Sequence, residues 1–175
     1  MNPTLSIPTF HDIRKAAATI DAYAHKTPVL TSSLVDERAH AQLFFKCENF
    51  QKVGAFKFRG GCNTVMSLSE VDAQKGVATH SSGNHAQALA LSAKLRGIKA
   101  YVVMPENAPT VKVEAVKNYG AEITFCESTL EARESTLQKV VDRTGATFIH
   151  PYNDVRVIAG QGTAALELLN EHPDL

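Results

Sequence analysis

The chain has 175 residues, and its 18 basic side chains balance 18 acidic ones, so the formal net charge is zero at neutral pH. That length allows a buried core in one domain or two small lobes, and the balanced charge gives no field that favours nucleic acid or an anionic membrane. We therefore expect a small-molecule partner, with neither a nucleic acid polymer nor a membrane as target. The opening MNPTLSIPTF has no basic segment before an apolar run, and no stretch reaches the roughly 18 apolar residues of a membrane span, so we expect neither export nor membrane insertion.

The three cysteines, Cys47, Cys62 and Cys126, lie far apart in the sequence. They form no CxxC pair and have no neighbouring histidine at the spacing of zinc ligands. We interpret them as reduced thiols, which are typical of a cytoplasmic protein.

The first third of the chain predicts two helices and a strand. Thr9 is a candidate N-cap for an amphipathic helix over 10–24, and a short helix is expected over 33–41. The run LFFKCE (43–48) predicts a strand, and a turn after it leads into a helix that carries the sequence GAFKFRGG (54–61).

From residue 77 onward, strand and helix patterns alternate regularly. The expected order is strand VATH, helix 84–96, strand KAYVVMP, helix 109–118, strand EITFCE, helix 129–144 and strand FIHP. Such alternation predicts parallel strands joined by right-handed crossovers, which is an α/β architecture. Ligands of such sheets bind where strands end and helices begin, so the loop 79–84 is a candidate site.

The octapeptide GAFKFRGG places Lys57 between Phe56 and Phe58, in the first turn of a predicted helix. Burial and the positive end of a helix both disfavour an ammonium group, so they lower the pKa of a lysine and free its amine to attack a carbonyl. A lysine that forms a Schiff base needs this environment. The alternative is a surface lysine whose neighbours face inward while its charge reaches water.

The motif HSSGNH (80–85) stands between a predicted strand and a predicted helix. Backbone N–H groups at a helix N-terminus form a nest for an anion, and hydroxyl and amide groups add donors, so the motif suits a carboxylate or a phosphate. The alternative is an ordinary capped helix, with Ser81 or Ser82 as the cap. His80 and His85 do not match the spacing of a metal-ligand pair, and we expect no metal site in this chain.

Three runs carry a family resemblance: KCENFQKVGAFKFRGG, SSGNHAQALA and HPYNDVRVIAGQGTAALELL. Together they resemble the pyridoxal-phosphate enzymes of fold type II, and within them the serine racemase and serine/threonine dehydratase branch. The resemblance implies a tryptophan-synthase-β-like α/β fold. It further implies that residues 71–151 form a complete small α/β domain, and that residues 1–70 and 152–175 form part of the large cofactor domain.

The resemblance also assigns roles to individual residues. Lys57 would bind pyridoxal 5'-phosphate as a Schiff base and move the proton on one face of the substrate Cα, and Ser82 would act on the opposite face. Phe56 and Asn84 would contact the cofactor, although the chain has Ala55 where family members often have serine. The substrate would be bound by Ser81, Ser82, Gly83, Asn84, His85 and Arg133; for Arg133, a surface role remains the alternative.

The implied reactions are racemisation of L-serine and dehydration of L-serine, L-threonine or 3-hydroxyaspartate, because both begin with loss of the same α-proton. A homodimer is expected. The family resemblance also implies a nucleotide effector site, with ordinary surface roles as the alternative, at Ser32, Ser33, Lys52 and Tyr119. ATP and a divalent cation such as Mg²⁺ are expected in a full-length parent, whose metal ligands are not in this chain.

The chain departs from the family pattern in lacking the glycine run that holds the cofactor phosphate. We therefore expect it to correspond to the N-terminal half of an enzyme, with weak cofactor binding in isolation. One alternative is an inactive module that pairs with a complete subunit. Another is a β-replacement synthase, which the serine pair of SSGN disfavours.

Overall fold

The computed structural model describes residues 7–175, which form eight α-helices and six strands. The helices are α1 (Phe10–Ile20), α2 (Ser33–Ala39), α3 (Lys57–Met66), α4 (Glu70–Lys75), α5 (Asn84–Arg96), α6 (Thr110–Asn118), α7 (Leu130–Thr144) and α8 (Val155–Glu171). The strands are β1 (Val29–Leu30), β2 (Phe45–Lys46), β3 (Val77–His80), β4 (Ala100–Pro105), β5 (Glu122–Cys126) and β6 (Thr147–Phe148).

The central element is a four-stranded parallel sheet in the order β5-β4-β3-β6. A small antiparallel pair, β1 with β2, lies outside it. Along the chain, β4 pairs with one side of β3 and β5 pairs with β4, and the last strand, β6, pairs with the other side of β3. The predicted alternation of strands and helices is confirmed.

Helices cover both faces of this sheet, as side chains along β4 illustrate. Tyr101 and Val103 pack against α7, whereas Val102 and Met104 pack against α5 and α6. Successive strand side chains point to opposite faces, so a strand covered on both sides is apolar throughout. This explains why the six residues of β4 are all buried.

Two glycines allow α3 and α8 to cross at very short range. A β-carbon on Gly160 would lie 2.6 Å from the Cα of Gly60, and one on Gly60 would lie 2.7 Å from the Val157 carbonyl. No larger residue fits either position without moving a helix, so α3, whose first residue is Lys57, is fixed against α8.

A fully buried arginine connects the same two helices to the segment around β2. The Arg59 guanidinium donates to the Glu48 carboxylate at 2.8 Å and to the Glu167 carboxylate at 2.7 and 2.9 Å. Burial opposes its charge, but these hydrogen bonds outweigh it and hold the pKa of Arg59 above its ordinary value.

Element boundaries differ from the expectations mainly where turns intervene. Thr9 caps α1 as predicted, with a reciprocal hydrogen bond to Asp12, but the helix ends at Ile20 rather than at residue 24. The last strand ends at Phe148 instead of including His150, because the chain turns at Pro151, which has no N–H to donate. The proposed division into domains at residues 70 and 152 remains a prediction.

No helix in the described part of the chain has the length and apolar character needed to cross a membrane.

Candidate active site

The carboxyl ends of β3 and β6 lie side by side, and the chain leaves them in two different loops. Thr79 ties the strands together there, since its hydroxyl donates to the Ile149 carbonyl at 2.9 Å. Strand order reverses at this point, which is where open α/β sheets bind ligands. The loops that follow, 81–83 and 149–154, therefore frame a candidate site.

Lys57, the first residue of α3, reaches the second of these loops. Its ammonium nitrogen donates to the Pro151 carbonyl at 3.2 Å. Burial lowers the pKa of Lys57 below its ordinary value, as the sequence analysis predicted. The side chain is half-buried and its amine is paired, which favours this interpretation over a surface lysine with its charge in water.

The two phenylalanines beside Lys57 have different environments. Phe58 is fully buried and packs with Ile20, Cys62 and Ala88 beneath α3. Phe56 is 44% exposed, and its ring centroid lies 5.2 Å from the Lys57 amine. Of the pair, Phe56 is the one placed to contact a group bound at Lys57.

The backbone that enters α3 is strained. Val53 has φ 57°, a left-handed conformation that a β-branched side chain rarely adopts, and Gly54 follows with φ 67°. Such strain persists only where surrounding contacts enforce it, and it concentrates at functional sites.

The loop 81–83 presents an open helix N-terminus. The N-cap of α5 is Gly83, and no side chain caps the helix. Ser81 accepts a hydrogen bond from the Gly83 N–H at 3.3 Å instead of closing the first turn. First-turn N–H groups without a capping side chain can bind an anion, so the geometry favours the anion nest over the capped-helix alternative. Ser82 lies in this loop and is half-buried, and Asn84, the first residue of α5, is exposed.

His85, in the first turn of α5, is 3% exposed, and neither ring nitrogen has a hydrogen-bond partner. Burial, followed by the charge of Lys57, lowers the pKa of His85 to about 4. The nearby backbone of Ile149 opposes part of this shift without forming a hydrogen bond of normal geometry. A neutral imidazole with two free nitrogens thus lies close enough to Lys57 to feel its charge.

Sequence reasoning missed a cation at the loop. Lys112, in the first turn of α6, places its amine 3.7 Å from the position that a β-carbon on Gly83 would occupy. Its charge strengthens the attraction of the loop for an anion. No local motif marks Lys112, since only the packing of α6 against α5 brings it there.

Arg133 lies on α7, in the first part of the helix. Its Nε donates to the Thr129 carbonyl at 3.1 Å. Burial, then the charges of His150 and Arg133, lowers the pKa of His80, the residue before Ser81. Arg133 therefore lies near the end of β3, and its assignment to the substrate remains a prediction.

The four residues expected at an effector site are spread over separate elements. Ser32 and Ser33 begin α2, the Lys52 amine lies 5.5 Å from the Phe58 ring centroid, and Tyr119 ends α6. Within residues 7–175, no hydrogen bond joins any two of these side chains, and the assignment stays a prediction. The same part of the chain contains no group of three or more His, Cys, Asp or Glu placed to hold a metal ion.

The site suits an aldehyde cofactor together with an anionic ligand such as a substrate carboxylate. A lysine with a lowered pKa supplies a nucleophilic amine, the uncapped helix supplies anion-binding N–H groups, and His85 supplies two unpaired polar atoms. Buried polar atoms normally have partners, so the unpaired imidazole is consistent with contact to a bound molecule or water.

Comparison with known proteins also supports a site for an aldehyde cofactor. Residues 20–175 match the family model described as pyridoxal-phosphate dependent enzyme. The chain is 51% identical to the serine racemase of Dictyostelium discoideum, over all of this chain and 54% of that protein. It is 53% identical to the beta-hydroxyaspartate dehydratase of Paracoccus denitrificans, over 94% of this chain and 52% of that protein.

Among solved structures, the crystal structure of the Dictyostelium discoideum serine racemase superposes with a TM-score of 0.93 at 51% identity. That match covers 97% of this chain and 55% of the solved one, so the chain spans about half the length of the relatives it matches. With the family model covering most of the chain and the fold shared, the chain belongs to the pyridoxal-phosphate dependent enzymes of fold type II.

Proposed function

We propose that the chain contributes the cofactor lysine and the substrate-binding loop of a pyridoxal-phosphate enzyme that racemises serine and dehydrates small hydroxy amino acids. The observation that carries this proposal is the half-buried amine of Lys57, with its lowered pKa, at the switch point beside the uncapped N-terminus of α5. The names of the relatives, serine racemase and beta-hydroxyaspartate dehydratase, support L-serine and 3-hydroxyaspartate as substrates.

When bound, pyridoxal 5'-phosphate would withdraw electrons from the substrate Cα and make its proton acidic. Lys57 would hold the cofactor and then move a proton at its Nζ on one face of the Cα. The hydroxyl of Ser82 would exchange a proton on the other face. Two proton carriers on opposite faces of the Cα allow inversion of its configuration. In the dehydration, the substrate loses the α-proton and the β-hydroxyl as water. Hydrolysis of the product then gives a keto acid and ammonia.

The loop would hold the substrate carboxylate through backbone N–H groups from Gly83 to His85 and the hydroxyl of Ser81. The amide of Asn84 and the ring of Phe56 would contact the cofactor. Lys112 and Arg133 would add positive charge around the same loop. Each role is consistent with the position of the residue, and the carboxylate explains why a helix N-terminus here is left uncapped.

Trapping the cofactor lysine tests the first step. The chain is mixed with pyridoxal 5'-phosphate, reduced with borohydride and digested, and the peptides are analysed by mass spectrometry. We expect one stable pyridoxyl group on Lys57 and none there in Lys57→Arg, which keeps the charge but not the nucleophile. Lys52→Arg is the matched control and should label like the wild type; labelling spread over surface lysines would contradict the assignment.

A chiral amino-acid and keto-acid assay with L-serine tests the second proton carrier. We expect Ser82→Ala to lose D-serine formation and Lys57→Ala to lose all turnover. Unchanged racemisation in Ser82→Ala would remove Ser82 from the proposed mechanism. If the wild-type chain turns over nothing, size-exclusion chromatography with a full-length homologue tests the alternative of a pairing module.

The finer assignments are proposals by analogy with the family. We propose a homodimer in the cytoplasm, with a nucleotide effector bound at Ser32, Ser33, Lys52 and Tyr119, and with ATP and Mg²⁺ as effectors of the full-length protein. Three free cysteines are consistent with a reducing compartment. Light scattering tests the dimer, and ATP titration of Tyr119→Ala tests the effector site.

A further inference from the structure

The turn between β6 and α8, residues 150–153, is fixed at both ends. Before it, the Ile149 N–H donates to the Ala78 carbonyl at 2.8 Å, and the Ile149 carbonyl accepts from Thr79. After it, Asp154 caps α8 by accepting from the Arg156 N–H at 2.9 Å. Within 150–153 the structure gives no backbone–backbone hydrogen bond, so another group must determine how the turn is held.

That group is the imidazole of His150. Its Nδ1 faces the Tyr152 N–H at 3.2 Å and the Asn153 N–H at 2.8 Å. Backbone N–H groups can only donate, so Nδ1 must accept both bonds, and the ring is neutral with its proton on Nε2. Protonation of Nδ1 would place a donor against two donors and release the turn.

The same turn carries the carbonyl that receives the Lys57 amine. The Pro151 oxygen, between His150 and Tyr152, accepts from the Lys57 Nζ at 3.2 Å. The orientation of this carbonyl depends on the turn around it, and the half-buried position of the amine depends on the carbonyl.

We propose that His150 is a positioning residue for Lys57: its unprotonated Nδ1 fixes the turn whose Pro151 carbonyl holds the reactive amine. The proposal rests on the role proposed for Lys57 and adds a second residue to it. Lys57 is the catalytic residue, and His150 acts on it through the backbone of the turn.

Several groups face His150 and influence when the turn is released. The ring of His80 meets it edge-on at 6.3 Å and the ring of Tyr152 at 4.4 Å, measured between ring centroids. His150 also lines a cavity of about 190 Å³ together with His80, Glu134 and Phe148.

Burial lowers the pKa of His150 below its ordinary value of 6.5, and the charges of Asp154 and Glu134 oppose part of that shift. His150 is therefore neutral at neutral pH, and its Nδ1 accepts both hydrogen bonds that hold the turn. Release follows as the pH falls below that ordinary value.

The test compares His150→Asn with His150→Ala in the full 175-residue chain. An asparagine Oδ1 can replace Nδ1 as an acceptor and does not titrate, whereas alanine offers no acceptor. Competitive labelling with acetic anhydride, followed residue by residue by mass spectrometry across pH, gives the titration midpoint of the Lys57 amine. Amide resonances of Tyr152 and Asn153 report the turn directly.

In His150→Ala we expect the Lys57 midpoint to rise toward its ordinary value, because burial is what lowers the pKa and the hydration of an unheld amine outweighs the loss of the Pro151 acceptor. Labelling at neutral pH then falls by about tenfold for each pKa unit regained. In His150→Asn the midpoint stays at the wild-type value, and the acid titration of the two amide resonances disappears. His40→Asn, at an exposed position, should leave every readout unchanged.

A wild-type midpoint in His150→Ala would overturn the proposal. The proposal would also be overturned if the Tyr152 and Asn153 amide resonances still titrated in His150→Asn. It would be overturned as well if their titration disappeared in His80→Asn instead. Neither readout needs a cofactor. If borohydride traps no pyridoxyl group on Lys57 in any variant, the proposed cofactor role of Lys57 fails for this chain, while the labelling midpoints still decide the role of His150.

Discussion

The buried imidazole of His85 lowers the stability of the folded chain, and it lies at the candidate active site near Lys57. Each buried polar atom without a partner costs about 1–3 kcal/mol, and the imidazole of His85 has two of them. Protein cores rarely retain such a group for packing alone, because an apolar ring of similar size would avoid the penalty. The neutral imidazole near Lys57 is therefore consistent with contact to a bound molecule or water.

The depressed pKa of His85 predicts acid sensitivity. In the unfolded chain this histidine binds a proton below about pH 6.5, whereas in the folded chain its pKa is about 4. Because the unfolded state binds more protons between these values, the free energy of unfolding falls as the pH drops through that window, by about 3 kcal/mol in total, and His85 adds no further loss below it.

Urea denaturation at intervals from pH 7 to pH 4 measures this effect. We expect His85→Gln to have a flatter pH profile than the wild type, and His11→Gln, at an exposed position on α1, to keep the wild-type profile. An unchanged slope in His85→Gln would show that other groups cause the acid sensitivity.

At the scale of elements, the crossing of α3 and α8 determines where Lys57 lies. A β-carbon on Gly160 would meet backbone atoms at 2.6 and 2.7 Å, which cannot move without separating the helices. A β-carbon on Gly162, two residues along the same helix, would meet only side-chain atoms of Ile13, the nearest at 2.9 Å, and a side chain can adjust more easily than a backbone.

The two glycines therefore form a matched pair of tests. We expect Gly160→Ala to lower the free energy of unfolding by about 1–3 kcal/mol or more and to reduce borohydride trapping at Lys57. Gly162→Ala should be nearly neutral, because its mild crowding is offset by the better helix propensity of alanine. Thermal unfolding measures the first effect and mass spectrometry the second; equal losses in both variants would contradict this account of the crossing.

At the scale of the whole molecule, Arg59 joins three segments distant in the sequence. Its guanidinium binds Glu48 after β2, Glu167 in α8 and the backbone carbonyl of His25 after α1. A buried ion pair that loses one partner leaves an uncompensated charge, which is why removal costs more than the pair itself contributes.

We expect Arg59→Met to lower the free energy of unfolding by about 3–5 kcal/mol in urea denaturation. Arg143→Met is the control, because Arg143 and Glu122 form an ion pair of which both sides are exposed, and such pairs contribute less than about 1 kcal/mol. A small effect of Arg59→Met would mean that water and Lys46, whose amine already lies 2.8 Å from the Glu167 carboxylate, compensate the charges of the carboxylates.

The sequence predicted the parts of this molecule that depend on local pattern. Alternating strand and helix signals gave the parallel sheet, and a lysine among apolar residues at a helix start gave the lowered pKa of Lys57. The different surroundings of Phe56, the N-cap of α3, and Phe58, within the helix, were not predicted, because the packing of other elements decides which side of the helix is buried. Lys112 and His150 were missed for the same reason: other helices and turns bring them to the site.

The hydrogen bond between Lys57 and Pro151 joins residues 94 positions apart. Ribosomes add about 5–20 residues per second, so the lysine emerges on the order of 5 to 20 seconds before the carbonyl that will hold it. Burial lowers the pKa of Lys57 only in the folded chain, so the amine gains this property after the turn at Pro151 has been made and packed. If Lys57 binds the cofactor as proposed, its capture would wait for the synthesis of a turn that lies near the end of the described chain.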